Sequence, residues 1–126
     1  MTTLAILRHE EAIRVDAACL VAIYVGRAKT EAEEILGRGI EELAARVAEI
    51  TVHHERGNRV GLVRSTRLAA RLAGRLGMKS FTRVAGDLIA AAEAGDRPGQ
   101  AAIHARLLRI VARSETALLD LRDMTM

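Results

Sequence analysis

The sequence predicts an all-α protein, and three observations carry that expectation. Half of the residues are apolar, yet the apolar set is Ala, Leu, Ile and Val, with Tyr24 and Phe81 the aromatic residues and no tryptophan. That is the alphabet of helix formers. Apolar positions recur at intervals of three and four, the period of one helix face, and no run alternates apolar and polar residues as a half-buried strand does. Glycine, proline and capping residues divide the chain into about five helical segments.

The first segment runs from about Thr3 to Arg27, with Ile6, Ile13, Leu20 and Tyr24 at helical spacing and Gly26 near its end. Thr30 opens the second, because Thr-Glu-Ala-Glu sets Glu33 where a capping box needs it. Leu36, Ile40, Leu43, Val47, Ile50 and His54 then make an unbroken seam. Gly57-Asn58 is a C-cap signal, since both residues tolerate the left-handed conformation. A third helix is expected from Arg59 to about Leu76, broken by Gly77. Ser80 is positioned to cap the fourth, whose apolar face is Phe81, Val84, Leu88 and Ala92. AGDRPGQ is the clearest turn; Pro98, the single proline, stands where it starts the last helix, with a seam of Ile103, Leu107, Ile110, Ala117 and Leu121. The tail RDMTM is expected to fray.

Turns this short make neighbouring helices antiparallel. The expected architecture is therefore an up-and-down antiparallel four-helix bundle with an additional N-terminal helix. It forms a single domain over residues 1–126, the N-terminal helix over 1–28 and the bundle over 30–122. The longest uncharged run, Ala17–Gly26, falls far short of the roughly 20 residues that cross a bilayer, and the N-terminus lacks the basic region of a signal peptide; a soluble, cytoplasmic chain is expected, with no membrane partner. Cys19 is the one cysteine and reads as a buried inert thiol. The run Ala17–Val25 is more apolar than one buried face requires, so the first helix is expected to cap the bundle or to form a homodimer interface. Arginine outnumbers lysine 17 to 2, which reflects a GC-rich genome and carries no functional weight.

Charge is divided along the chain. Residues 1–55 carry a net charge of −4 and residues 56–126 a net +7, which together give the +3 of the whole. Between Arg56 and Arg83 lie eight basic residues and no acid, and Arg64, Arg67, Arg71 and Arg75 fall on one stripe at helical spacing. Like charges so spaced repel by a few tenths of a kcal/mol per pair, so the stripe needs a partner. Two are available: the acids of the second segment, Glu31, Glu34, Glu41, Glu42 and Glu49, as a structural pairing, or an acidic partner molecule as a docking reading. Nucleic acid is the weaker version of the latter, because the stripe has no interleaved aromatics and no DNA-reading motif.

Residues from about Ala32 to Leu121 resemble the histidine phosphotransfer (HPt) domain of bacterial phosphorelays, a four-helix bundle with an extra N-terminal helix. Gly77-Met78 takes the place of the family's glycine-leucine turn, Gly74 falls on the small position before it, and FTRVAGDLIAAAEAGD resembles the family's next helix and acidic-glycine turn. Counting back 10 residues from Gly77 lands on Arg67, where the family carries its phosphoacceptor histidine, with Ala70 and Arg71 at its Lys-Gly positions. A guanidinium stays protonated and is no nucleophile. The resemblance thus implies an HPt-like binding or regulatory module that has lost phosphotransfer at this position, docking a response-regulator receiver domain through Arg64, Arg67, Arg71 and Arg75.

The alternative phosphoacceptor lies in HHERG, where His53 is followed by Arg56 and Gly57 in an echo of the family's His-x-x-Lys-Gly spacing. His54 falls on the apolar seam, where a carbonyl or water would satisfy it, and His53 is expected to be solvated. His104, without an acidic neighbour, reads as a solvated or half-buried helix residue. A metal could meet His9-Glu10 and His53-His54 only if the first two helices are adjacent, and no spacing demands it. With no Gly-rich phosphate loop, nucleophile elbow or Ser/His/Asp set in view, the expectation is a non-enzymatic module without metal or cofactor.

Overall fold

Three tight turns, each containing a glycine at positive φ, set the order of the helices. A computed structural model describes residues 25–124, with Ser114 and residues 117–124 described by backbone alone. It contains α1 (Lys29–Arg56), α2 (Arg59–Arg75), α3 (Lys79–Glu93) and α4 (Arg97–Met124). Residues 1–24 lie outside the described residues, and with them the expected first helix up to Tyr24, Cys19, the His9-Glu10 pair and the dimer interface assigned to that helix.

Gly57 ends α1 at φ 67°, and the backbone N–H groups of Gly57 and Asn58 donate to the carbonyls of His54 and His53. This is the left-handed closure that only glycine adopts without a Cβ penalty. Gly77 and Gly95 close the next two turns in the same way. Asn58 has a different role from the expected one: it is the N-cap of α2, its Oδ1 accepting from the Gly61 N–H at 3.0 Å. Asp96 does the same ahead of α4, accepting from the Gly99 N–H at 3.1 Å, and Pro98 falls in the first turn, where its missing N–H costs nothing.

Two expected caps do not form. Helix α1 starts at Lys29, one residue before Thr30, because Ala28 is already extended at φ −63°, ψ 147° and supplies the N-cap without a side-chain hydrogen bond. Thr30 is therefore inside the first turn, and Glu33 Oε1 is buried without a hydrogen-bond partner among the described residues. Ser80 likewise lies within α3, since Met78 both donates to the Ala73 carbonyl and occupies the N-cap position; the turn is too tight for a cap two residues later. The tail is also more regular than expected, with helix continuing through Met124.

Each helix packs on the next, and α1 and α4 make a smaller contact that closes the helical bundle. The core comprises Leu36, Leu43, Val47 and Ile50 from α1, Leu62, Ala69, Leu72 and Ala73 from α2, Phe81, Val84, Ala85, Leu88 and Ala92 from α3, and Leu107, Ile110 and Val111 from α4. The expected seams are the buried faces as far as their side chains are described; Ile40 and Ile103 pack partly buried at the margin, His54 is half-buried, and the side chains of Ala117 and Leu121 lie outside the described ones. Where α1 passes the end of α2, a Cβ on Gly39 would lie 2.7 Å from Leu76 Cδ2, so a larger residue there requires the Leu76 side chain to shift. At about 1.5 Å per residue, α1 and α4, each of 28 residues, span about 42 Å, while α2 and α3 are little more than half as long. The bundle is thus built on two long helices with a short hairpin between them.

Candidate functional site

Helix α2 is amphipathic in an uneven way. Leu62, Ser65, Thr66, Ala69, Leu72 and Ala73 are buried, small enough for α1 and α3 to close around them. Thr66, fully buried, satisfies its hydroxyl by donating to the Leu62 carbonyl at 2.7 Å. The 3.6-residue period then forces Arg64, Arg67, Arg71 and Arg75 to the opposite side, and all four are exposed. The sequence-predicted stripe is thus one continuous face.

The pairing on that face was not legible in the sequence. No arginine of the stripe forms an ion pair with an acid of α1 among the described residues; Glu34 and Glu49 are taken within α1 itself, by Arg38 at 3.9 Å and Arg46 at 3.1 Å. Glu42 and Arg75 line one groove between α1 and α2 without joining. Arg67 alone in the stripe is paired, to Glu93 at the end of α3, 3.3 Å away. Both side chains are more than half exposed, so the bridge is worth at most about 1 kcal/mol. Arg64, Arg71 and Arg75 have no ion pair among the described residues.

The stripe borders a groove of about 440 Å³ lined by Arg59, Val60, Val63, Arg64, Arg67, Leu68, Arg71 and Glu93. Its floor is partly apolar: Val60 is 68% exposed and Leu68 40%. The groove thus sets two exposed apolar side chains among guanidinium groups.

A second cluster joins the end of α1 to the start of α4. His54 stacks on His104 with ring centroids 4.5 Å apart and planes inclined by 29°. Gln100 Nε2 donates to His54 Nδ1 at 2.9 Å. Thr51 Oγ1 donates to the Val47 carbonyl and so accepts from His104 Nε2 at 3.0 Å. These bonds place the proton of both imidazoles on Nε2. His104 is buried, not solvated. Burial, and then the neighbouring His54, push its imidazole below the usual value, while Glu55 pulls it partly back. His54 thus finds protein partners in Gln100 and His104. His53 is half-buried, and its Nδ1 accepts from Asn58 Nδ2 at 3.3 Å; a Cβ on Gly61 would meet that nitrogen at 2.5 Å.

The site residues read from the sequence therefore fall in two separate places. Arg64, Arg67, Arg71 and Arg75 share the outer face of α2, and His53 and His54 belong to the helix ends. Among the described residues no group of three or more His, Cys, Asp or Glu side chains is placed to hold a metal ion, and no helix is long and apolar enough to cross a membrane. Sequence reasoning missed Glu93 and the His54–His104 stack. The spacing of Gln100 and His104, one helical turn apart and in line with Leu107, was the available signal for the second. Comparisons with protein-family models, curated proteins and solved structures find no match.

Proposed function

We propose that this protein is a non-catalytic binding or regulatory module that docks an acidic protein partner through Arg64, Arg67, Arg71 and Arg75. The observation that carries the reading is the face itself: four exposed guanidiniums in one line, one of them paired and that one only by an exposed, weak bridge. A structural role for the stripe would have used the carboxylates of α1, which stay apart from it. The HPt resemblance supplies the class of partner, a response-regulator receiver domain, whose phosphorylation pocket is acidic. Short turns and the packing of each helix on the next support the up-and-down antiparallel, HPt-like arrangement, and Arg67 at the place of the phosphoacceptor removes phosphotransfer there.

This reading ranks above phosphotransfer through His53 or His54, whose Nδ1 atoms already accept from Asn58 and Gln100. It also ranks above nucleic-acid binding, since no aromatic residue lies in the groove for bases to stack on. Isothermal titration against a panel of receiver domains tests it. Saturable binding that disappears in the Arg67→Glu/Arg71→Glu variant is expected, and absence of binding to every receiver would defeat that choice of partner. Incubation with a phosphodonor should leave His53 and His54 unmodified; incorporation lost in His53→Gln would restore the catalytic alternative.

A further inference from the structure

The groove on α2 carries a more specific reading of its occupant, one that rests on the docking function proposed above. The geometry points to an acidic amphipathic helix of the partner, lying along α2 with its apolar side chains on Val60 and Leu68 and its carboxylates on Arg64, Arg67 and Arg71.

Three observations converge on that occupant. First, the groove is not uniformly cationic. Val60 and Leu68 are two of the five large hydrophobic residues left exposed among the described residues, and half-buried Val63 joins them. A polyanion without apolar surface leaves these side chains wet, whereas a helix with an apolar stripe covers them. Second, α2 presents Arg64, Arg67, Arg71 and Arg75 along about three turns of helix, and the acids of a companion helix recur at the same three- and four-residue spacing. Third, the fold already contains an example of such a contact. Glu93, carried by the packed neighbour α3, reaches Arg67 at 3.3 Å across the edge of the groove. A carboxylate on a helix laid against the free side of α2 meets Arg64 and Arg71 in the same manner. Glu93 also competes with the incoming acid for Arg67, so it weakens binding modestly.

Fluorescence anisotropy on the full chain tests the inference with three labelled probes: a helical peptide with leucines two turns apart flanked by glutamates, polyglutamate of equal charge, and duplex DNA. The amphipathic peptide should bind about tenfold or more tighter than polyglutamate, because apolar burial adds to charge pairing. Leu68→Ser, a surface change checked for native helicity by circular dichroism, should weaken the peptide about fivefold and leave polyglutamate unaffected. Arg67→Glu/Arg71→Glu should abolish both, and Glu93→Gln should tighten both about two- to threefold. Equal binding of peptide and polyglutamate would overturn the helical occupant while leaving an acidic docking face. Binding of neither acidic probe would overturn both readings. DNA bound more tightly than the peptide, with steep loss in salt, would assign the face to nucleic acid instead.

Discussion

The two faces of α2 are made from the same seventeen residues and obey different rules. On the inner face every residue is buried and small or aliphatic, and even its polar members are silenced, as Thr66 is by the Leu62 carbonyl. On the outer face Arg64, Arg67, Arg71 and Arg75 stand exposed with a single weak partner among the described residues, beside exposed Val60 and Leu68. The inner face is consumed by folding and the outer face is left over by it. Repelling charges beside exposed apolar groups on this face are what support the docking reading proposed above.

That contrast can be broken most forcefully from the inside. Leu62 is fully buried, so Leu62→Ala should lower unfolding free energy in urea by about 2–5 kcal/mol; a loss under about 1 kcal/mol would mean the inner face is not core. Asn58→Ala removes the α2 cap and the His53 contact and should cost about 1 kcal/mol, with no effect on the docking face. The polar seam between α1 and α4 sharpens the comparison through pH. Because the folded pKa of His104 lies below its ordinary 6.5, the unfolded chain takes up this proton first. Stability is then full above about 6.5 and falls as the pH drops through that value toward the folded one. Burial is the main cause of the shift, with His54 adding to it and Glu55 opposing it, and burial also pushes the Glu115 carboxyl on α4 above its ordinary value. Urea unfolding at stepped pH should show this decline in the wild type and a flatter profile in His104→Gln. A profile independent of His104 would detach the stack from the closure of α1 on α4. The smallest effect belongs to the outer face, where Arg71→Ala should change stability by no more than about 0.5 kcal/mol.

Much of the fold was legible because it rests on local rules. The seams of α1, α3 and α4 follow from residue spacing, and the three turns follow from glycines that the backbone requires at positive φ. The caps at Thr30 and Ser80 were misread because a preceding residue, Ala28 or Met78, had already taken the N-cap conformation; sequence motifs do not report such one- or two-residue shifts. The stripe was visible as a period, but its one partner among the described residues was not. Glu93 lies on another helix, 26 positions away in the chain, and only the packing of α3 on α2 brings it to Arg67. The same holds for His54 and His104, ordinary single histidines until α4 folds back against α1.

If the outer face of α2 serves docking, its arginines take no part in holding the bundle together. Replacing Arg64, Arg67, Arg71 and Arg75 together by glutamine and measuring urea unfolding tests it most directly. A stability within about 1 kcal/mol of wild type is expected, with any gain arising from relief of like-charge repulsion along the stripe. A loss of several kcal/mol would show that the stripe is structural and that the docking reading is wrong.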